Sequence, residues 1–308
     1  MSEDPLWPRA SAWLASGGAP AGPRLAVVGV PLSRTSISPS GAHTTPAAVR
    51  SALRRFATYH AGLDVDLESV SVTDVGDLDV ADAGVADALE RVSRGLTGIL
   101  AQTEGFDLVV ALGGDNAVTR PVMRALLPLA TSGLLTLDAH HDVRDFHAGA
   151  TNGTPVRGLV EDGLAGHHVA QLGIGHLANS RAYRDWCEDR GIHLVGIDDL
   201  RGRTGAVVTE HLDRLAETCT DLYVDLDVDV VDSACVPGCP GARPGGLAPH
   251  ELLEAAVAAG RHPSVRVIDI AEVDATADHD GRTVDLAAMC LLSAAAGLAA
   301  RARDAGGR

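Results

Sequence analysis

The sequence concentrates its chemistry in one short stretch, Leu137-Asp138-Ala139-His140-His141-Asp142, where two carboxylates flank an imidazole at two-residue spacing. In an extended segment successive side chains alternate faces, so this spacing predicts that Asp138, His140 and Asp142 point the same way. Carboxylates crowded on one face repel one another, and a divalent cation is the obvious neutraliser. Asp227 and Asp229, in Asp225-Leu226-Asp227-Val228-Asp229, repeat the alternation. Either acidic stretch alone would serve as a solvated strand end; the two together argue for metal. The five residues offer four carboxylates and one imidazole, a donor set that suits manganese ahead of zinc. Four carboxylates are too many for one ion that must also hold water, and they suit two ions bridged by shared carboxylates. Two ions about 3.5–4 Å apart lower the pKa of a shared water and deliver hydroxide at neutral pH.

These groups need a scaffold that brings separated stretches together. Short β-type runs occur at Leu25–Val30, Ser69–Val75, Asp107–Leu112, Gly133–Asp138, His167–Ile174, Ile192–Ile197, Leu222–Asp227 and Val265–Val273. Several are almost wholly apolar, as in Leu25-Ala26-Val27-Val28, which is how strands covered on both faces read. Amphipathic segments separate them, at Thr45–Thr58, Ala83–Glu104, Ala117–Ala130, Arg181–Gly191, Gly205–Thr218, Pro249–Gly260 and Thr283–Ala302. This alternation predicts a three-layer α/β/α fold around a central, mostly parallel sheet of about eight strands. In such sheets ligands gather beyond the carboxyl ends of the strands. Gly113-Gly114-Asp115-Asn116, Asp138 to Asp142, Asp225 to Asp229 and Glu272-Val273-Asp274 all stand at strand ends. Residues 1–22, rich in Ala, Ser, Gly and Pro, are expected on the surface and partly disordered, with 23–308 forming a single catalytic domain.

Composition narrows the function classes. The 308 residues carry a formal net charge of −16, which disfavours nucleic acid and anionic membrane surfaces as partners. All 25 basic residues are arginine, which excludes a Schiff-base lysine and the lysine of a phosphate-binding loop. No apolar run approaches the ~20 residues of a membrane span, and no basic region followed by an apolar core marks a signal peptide. The five dispersed cysteines (Cys187, Cys219, Cys235, Cys239 and Cys290) suit a reducing cytoplasm.

Gly113-Gly114-Asp115-Asn116, Asp138-Ala139-His140-His141-Asp142, the run Asp225 to Asp232 with Pro237-Gly238, Pro244-Gly245-Gly246-Leu247 and Ile270-Ala271-Glu272-Val273-Asp274 resemble the motifs of the ureohydrolase (arginase–agmatinase) superfamily. Their order and spacing extend from about Leu25 to Leu292. The resemblance implies an arginase-like fold, two Mn2+ ions, hydrolysis of a C–N bond beside a cationic imine carbon, and a homo-oligomer, trimer or hexamer. Two positions depart from the arginases and agmatinases, which usually carry histidine where this chain has Asn116 and Asn152. Asp138 to Arg144, Asn152 to Arg157, Ala234 to Pro240, Pro31 to Ser38 and Gln171 to Ile174 look most like formimidoylglutamases. That likeness implies hydrolysis of N-formimidoyl-L-glutamate to L-glutamate and formamide, a step of histidine degradation, by a metal-bridging hydroxide.

Carried onto this chain, the resemblance makes Asp138 and Asp227 the bridging carboxylates. His140 and Asp229 complete one ion, and Asp142 and Asn116 the other. An amide is neutral and binds manganese less strongly than imidazole does, so the ion at Asn116 is expected to be the weaker one. Glu272 would face the cationic formimidoyl nitrogens, and Asn152 would contact substrate. Asn152 cannot move protons as a histidine would. His141 and His147 are the nearby candidates for that role, although in an extended segment His141 points away from its neighbours. Arg144 and Arg157 are the candidates to grip the substrate carboxylates through bidentate forks. The competing enzyme reading is a guanidino-compound hydrolase that releases urea; the competing non-enzyme reading is a metal-poor binding homologue.

Overall fold

The structure, a computed structural model, describes Asp4 and residues 6–100, 105–147 and 149–306. Apolar, β-branched runs form the strands β1 (Arg24–Val30), β4 (Ser71–Asp77), β5 (Leu108–Gly113), β6 (Ser132–Leu137), β7 (Val169–Ile174), β8 (His193–Gly196), β9 (Asp221–Asp227) and β10 (Val265–Ala271). These pair into one eight-stranded sheet in the order β4-β1-β5-β10-β9-β6-β7-β8, and every pairing is parallel. Each expected strand is present, with ends moved by a residue or two. The chain also forms a short antiparallel hairpin, β2 (Tyr59–His60) with β3 (Val65–Asp66), inside the region expected to run from a helix into β4. Two-residue strands leave too little periodicity to read from sequence.

Helices cover both faces, because strands such as β5 and β6 are buried along their whole length. On one face, Val92, Leu96, Val122, Met123 and Leu159 pack on the sheet from the helices Val85–Leu100, Thr119–Leu126 and Pro155–Glu161. On the other, Leu212, Leu252, Leu291 and Leu298 do so from Thr204–Ala216, Pro249–Arg261 and Arg282–Gly306. The last two helices approach so closely that a Cβ on Gly260 would lie 2.0 Å from the Ala294 carbonyl oxygen. Arg282–Gly306 is long and apolar enough to cross a membrane by composition, which the sequence reading did not anticipate. Its most apolar 18-residue window is 89 % buried inside the fold, so its hydrophobicity is that of a core helix.

Part of the amino-terminal segment expected on the surface is docked. The helix Ala10–Ser16 buries Trp13 and Leu14, and the Trp13 indole N–H donates to the Val70 carbonyl oxygen at 3.2 Å. Two tryptophans, Trp7 and Trp13, amid Ala, Ser, Gly and Pro gave no periodic pattern, but burial of the Trp13 indole outweighs composition. Residues 1–3 and 5 lie outside the described residues.

The amino-terminus of Pro249–Arg261 depends on a buried acid. Glu251 Oε2 accepts from the Ala248 N–H at 2.9 Å and Oε1 from the Gly202 N–H at 2.7 Å. Burial alone would raise this carboxyl, but the backbone N–H donors outweigh it and hold the group below its ordinary value. A depressed folded-state pKa contributes stability that is present above the unfolded value and lost as pH falls through the folded one. Glu251→Gln is therefore expected to cost about 1–2 kcal/mol in urea unfolding at pH 7. The deficit should shrink below the ordinary carboxyl value of 4.5, and a constant deficit down to pH 3 would contradict the assignment.

Candidate metal centre

The strands β5, β10, β9 and β6 are neighbours in the centre of the sheet, and each ends in one of the acidic motifs. Parallel alignment puts all four carboxyl ends at the same edge. The chain then turns by the same local device at three of them. Asp115 accepts from the N–H of Ala117 at 3.1 Å, Asp138 from that of His140 at 2.6 Å, and Asp227 from that of Asp229 at 2.8 Å. Aspartate is suited to this role because its side chain can bond its own backbone two residues on. The expected strand-like alternation therefore does not hold: β6 stops at Leu137, and Val228–Val230 is a 3-10 turn. Convergence arises from the turns instead. A Cβ on Gly114 would lie 1.7 Å from the Leu32 carbonyl oxygen, so only glycine lets the β5 loop pass.

Donor atoms of Asp138, His140 and Asp229 all lie within 4.8 Å of one another. His140 Nδ1 is 2.7 Å from Asp229 Oδ2 and 3.6 Å from Asp138 Oδ1. Asp229 Oδ1 accepts from the Ala139 N–H at 3.1 Å, which ties β9 to β6. Across the cleft, Asn116 Nδ2 donates to Asp142 Oδ2 at 2.8 Å. Glu272 Oε1 accepts from the Asn116 backbone N–H at 2.8 Å and from Asn152 Nδ2 at 3.0 Å. Asn152 is itself oriented by the Ile37 N–H, which donates to its Oδ1 at 3.0 Å. Asp142 and Glu272 adopt left-handed backbone angles (φ 52° and 62°), which cost non-glycine residues energy and accumulate at functional sites. A cleft of about 130 Å³ is lined by Asn116, His140, Asp142, Arg144, Asn152, Asp227, Asp229, Arg243 and Glu272.

The electrostatics are those of a cation site. Burial, then the charges of its neighbours, raises Asp138 and Asp227 far above the ordinary carboxyl range. Burial pushes Asp142 up to about 7 and Asp115, with help from Glu272, to about 8. Burial works against a charged His140, but its contacts with Asp138 and Asp229 prevail and raise it to about 12. Those contacts and the Ala139 N–H in turn hold Asp229 below its ordinary value against burial. Asp138 Oδ2 is buried with no hydrogen-bond partner among the described residues. An unpaired buried carboxylate oxygen aimed among other acids fits an inner-sphere ligand, and oxygen donors with one imidazole fit a hard divalent ion. Cys235 and Cys239 join no such cluster among the described residues.

The structure brings Asn116, Asp138, His140, Asp142, Asp227, Asp229, Asn152, Arg144 and Glu272 to this edge. It does not bring His141, whose ring is buried against Gln171 with Nδ1 2.8 Å from Oε1. The turn at Ala139 and His140 carries that side chain into the protein. Nor does it bring Arg157, which lies on the helix Pro155–Glu161 against Glu161, the Val143 carbonyl and the Trp186 ring. His147 is exposed beside Asp145. The sequence reading missed Arg243, Ser36 and Ser38 on the cleft wall. Arg243 directly precedes the quoted Pro244-Gly245-Gly246-Leu247 motif, the one signal that could have singled it out. A larger cavity of about 610 Å³ lies between the β2–β3 hairpin and the helices Pro249–Arg261 and Arg282–Gly306, but its walls are mainly apolar and gather no carboxylate cluster.

Comparison with known proteins gives a consistent result. The model of the arginase family matches residues 23–297. The chain is 35 % identical over 271 residues to a formimidoylglutamase of Halalkalibacterium halodurans, covering 87 % of this chain and 85 % of the relative. The crystal structure of formimidoylglutamase from Bacillus subtilis superposes with a TM-score of 0.87 at 31 % identity, covering 97 % of this chain and 94 % of that one. A Trypanosoma cruzi formiminoglutamase described with Mn2+ shares the fold, with a TM-score of 0.81 at 22 % identity over 95 % of this chain and 99 % of that one.

The raised carboxyls set a pH dependence. A group whose folded pKa exceeds its unfolded value stabilises the fold fully below the unfolded value and loses that contribution as pH rises through the folded one. For Asp142 and Asp115 the window runs from the ordinary 3.8 to about 7 and about 8. Chelator-treated protein should therefore melt at a lower temperature at pH 8 than at pH 5. Added Mn2+ should raise the melting temperature more at pH 8, because protons compete with the ion for the same oxygens. A larger Mn2+ effect at pH 5 would contradict this reading.

Proposed function

The chain belongs to the arginase family and is a hydrolase of amidino C–N bonds, and from that premise we propose that it converts N-formimidoyl-L-glutamate to L-glutamate and formamide. The observation that carries this reading is the pairing, within one small cleft, of the acid Glu272 with the base Arg144. The substrate has the complementary pair, a cationic formimidoyl group and carboxylates. The names of the relatives at 35 % and 31 % identity support the same substrate.

In this proposal a pair of Mn2+ ions is held by the residues at the strand ends. Asp138, His140, Asp227 and Asp229 would hold one ion, and Asp142 and Asn116, with the shared carboxylates, would hold the other. The manganese named for the Trypanosoma neighbour agrees with this oxygen-rich set. The ion at Asn116 is the weaker, since a neutral amide replaces an imidazole or carboxylate there. When bound, such a pair lowers the pKa of a shared water and makes hydroxide available near neutral pH.

The chain's own side chains do the rest. Glu272 is held by the Asn116 N–H and the Asn152 amide, both on Oε1, which orients the carboxylate toward the formimidoyl nitrogens. This fixes the carbon that is to be attacked and favours its cationic form. Arg144 receives a substrate carboxylate as a planar fork. Asn152 orients and does not titrate. His140 is the one histidine among the described residues that line the cleft, and as a ligand it is occupied. The proton for the departing glutamate amine then comes from water or a cleft carboxyl.

Manganese-reconstituted protein should release formamide and glutamate from N-formimidoyl-L-glutamate, and little urea from agmatine, arginine or guanidino acids. Urea without formamide would overturn the substrate assignment. Asp227→Ala should remove bound manganese and lower kcat/KM by roughly 10³-fold or more, since the centre supplies several kcal/mol. Full activity in that variant would remove the two-ion assignment.

A further inference from the structure

Behind Asn116, away from the cleft, lies a buried polar chain that the reaction as described does not use. Thr119 opens the helix Thr119–Leu126 and is fully buried. Its Oγ1 is 3.0 Å from Asn116 Oδ1 and 2.8 Å from Asp269 Oδ2. A hydroxyl has one proton, so it cannot donate to both oxygens. Asp269 is the stronger claimant. It is a fully buried carboxylate beside Asp225, and its Oδ2 also accepts from the Tyr223 hydroxyl at 2.6 Å. A buried carboxylate that lost one of these donors would bear a desolvation cost of its own. The Thr119 proton therefore goes to Asp269, and Oγ1 turns lone pairs toward Asn116.

Two oxygens at 3.0 Å with no proton between them repel. A half-turn of the Asn116 amide about χ2 relieves this at no steric cost, since NH2 and O are nearly the same size. Nδ2 then donates to Thr119, and Oδ1 takes the position now 2.8 Å from Asp142 Oδ2. Two oxygens facing each other there need a proton or a cation between them, and a divalent ion displaces the proton. We propose that Thr119, its proton committed to Asp269, is the positioning residue that presents the amide oxygen of Asn116 to a cation shared with Asp142. The inference rests on the two-ion reading above. It also accounts for how a neutral amide, which could equally present nitrogen, serves as a ligand.

The test is a Mn2+ titration of chelator-treated protein, followed by electron paramagnetic resonance of free and bound ion. Wild type should bind two ions with unequal affinity. In Thr119→Val the tighter ion should change less than about twofold and the weaker should lose about tenfold, as one net hydrogen bond would give. Thr119→Ser keeps the hydroxyl and should bind as wild type. Asn116→Asp offers oxygen on both sides, so in that background Thr119→Val should cost less than about twofold at either ion. Thr119→Ala carries the same expectations as valine and replaces it if valine is not accommodated. Unchanged binding of both ions in Thr119→Val, an equal loss in Thr119→Ser, or an undiminished loss in the Asn116→Asp background would overturn the inference. Fewer than two ions in wild type would instead overturn the two-ion reading.

Discussion

Everything at this edge of the sheet follows from burying carboxylates side by side. Asp138, Asp227 and Asp229 are almost without solvent exposure, and Glu272 is close to it. In such surroundings like charges are weakly screened, and each must find a hydrogen-bond donor, a proton or a cation. The site uses all three recourses. Backbone N–H groups satisfy one oxygen each of Asp115, Asp138 and Asp227. Burial and neighbouring charge raise Asp138 and Asp227 and so favour their protonated forms, and contacts with Asp138 and Asp229 favour the cationic form of His140. The oxygens left over, with Asp138 Oδ2 the plainest case, define where divalent ions fit.

The sheet makes this crowding possible by being insensitive to it. Its strands are held by parallel backbone hydrogen bonding and by apolar cores on both faces, neither of which uses the acidic side chains of the cleft. The acids of the cleft stand at or just past the carboxyl ends of the strands, Asp227 as the last residue of β9, where tight turns replace the ladder. Two of the four left-handed non-glycine angles among the described residues, those of Asp142 and Glu272, stand at the same place. A rigid, apolar scaffold thus supports a local arrangement that would not hold together alone.

Behind the ligand oxygens, further layers fix which atom faces the cleft. Asn152 is set by the Ile37 N–H and in turn sets Glu272. Asn116 is gripped at its backbone by Glu272 and at its side chain by Thr119 and Asp142. The pairs Asn116–Glu272 and Asn152–Glu272 link β5 and the loop after β6 to the end of β10. A substitution at any of these residues moves others, so the cleft behaves as one unit. In metal sites such outer partners orient the inner ligands and tune their strength.

Sequence alone determined the strands, their parallel alternation with helices, and the acidic motifs at the strand ends, because burial on two faces and the spacing of ionisable residues are written locally. It singled out Asp138, His140, Asp142, Asp227, Asp229 and Glu272, which the fold brings to one edge, although the alternation used to group the first five is replaced by Asx-type turns. What only the tertiary structure decided is which side chains reach the cleft. His141 and Arg157 are near the motif in sequence but are drawn to Gln171, Glu161 and Trp186, whereas Arg243 arrives from a distant loop. Even the polarity of the Asn116 amide is set by Asp269, more than a hundred residues away. Side-chain direction past a turn depends on partners supplied by other strands, and no local spacing encodes those.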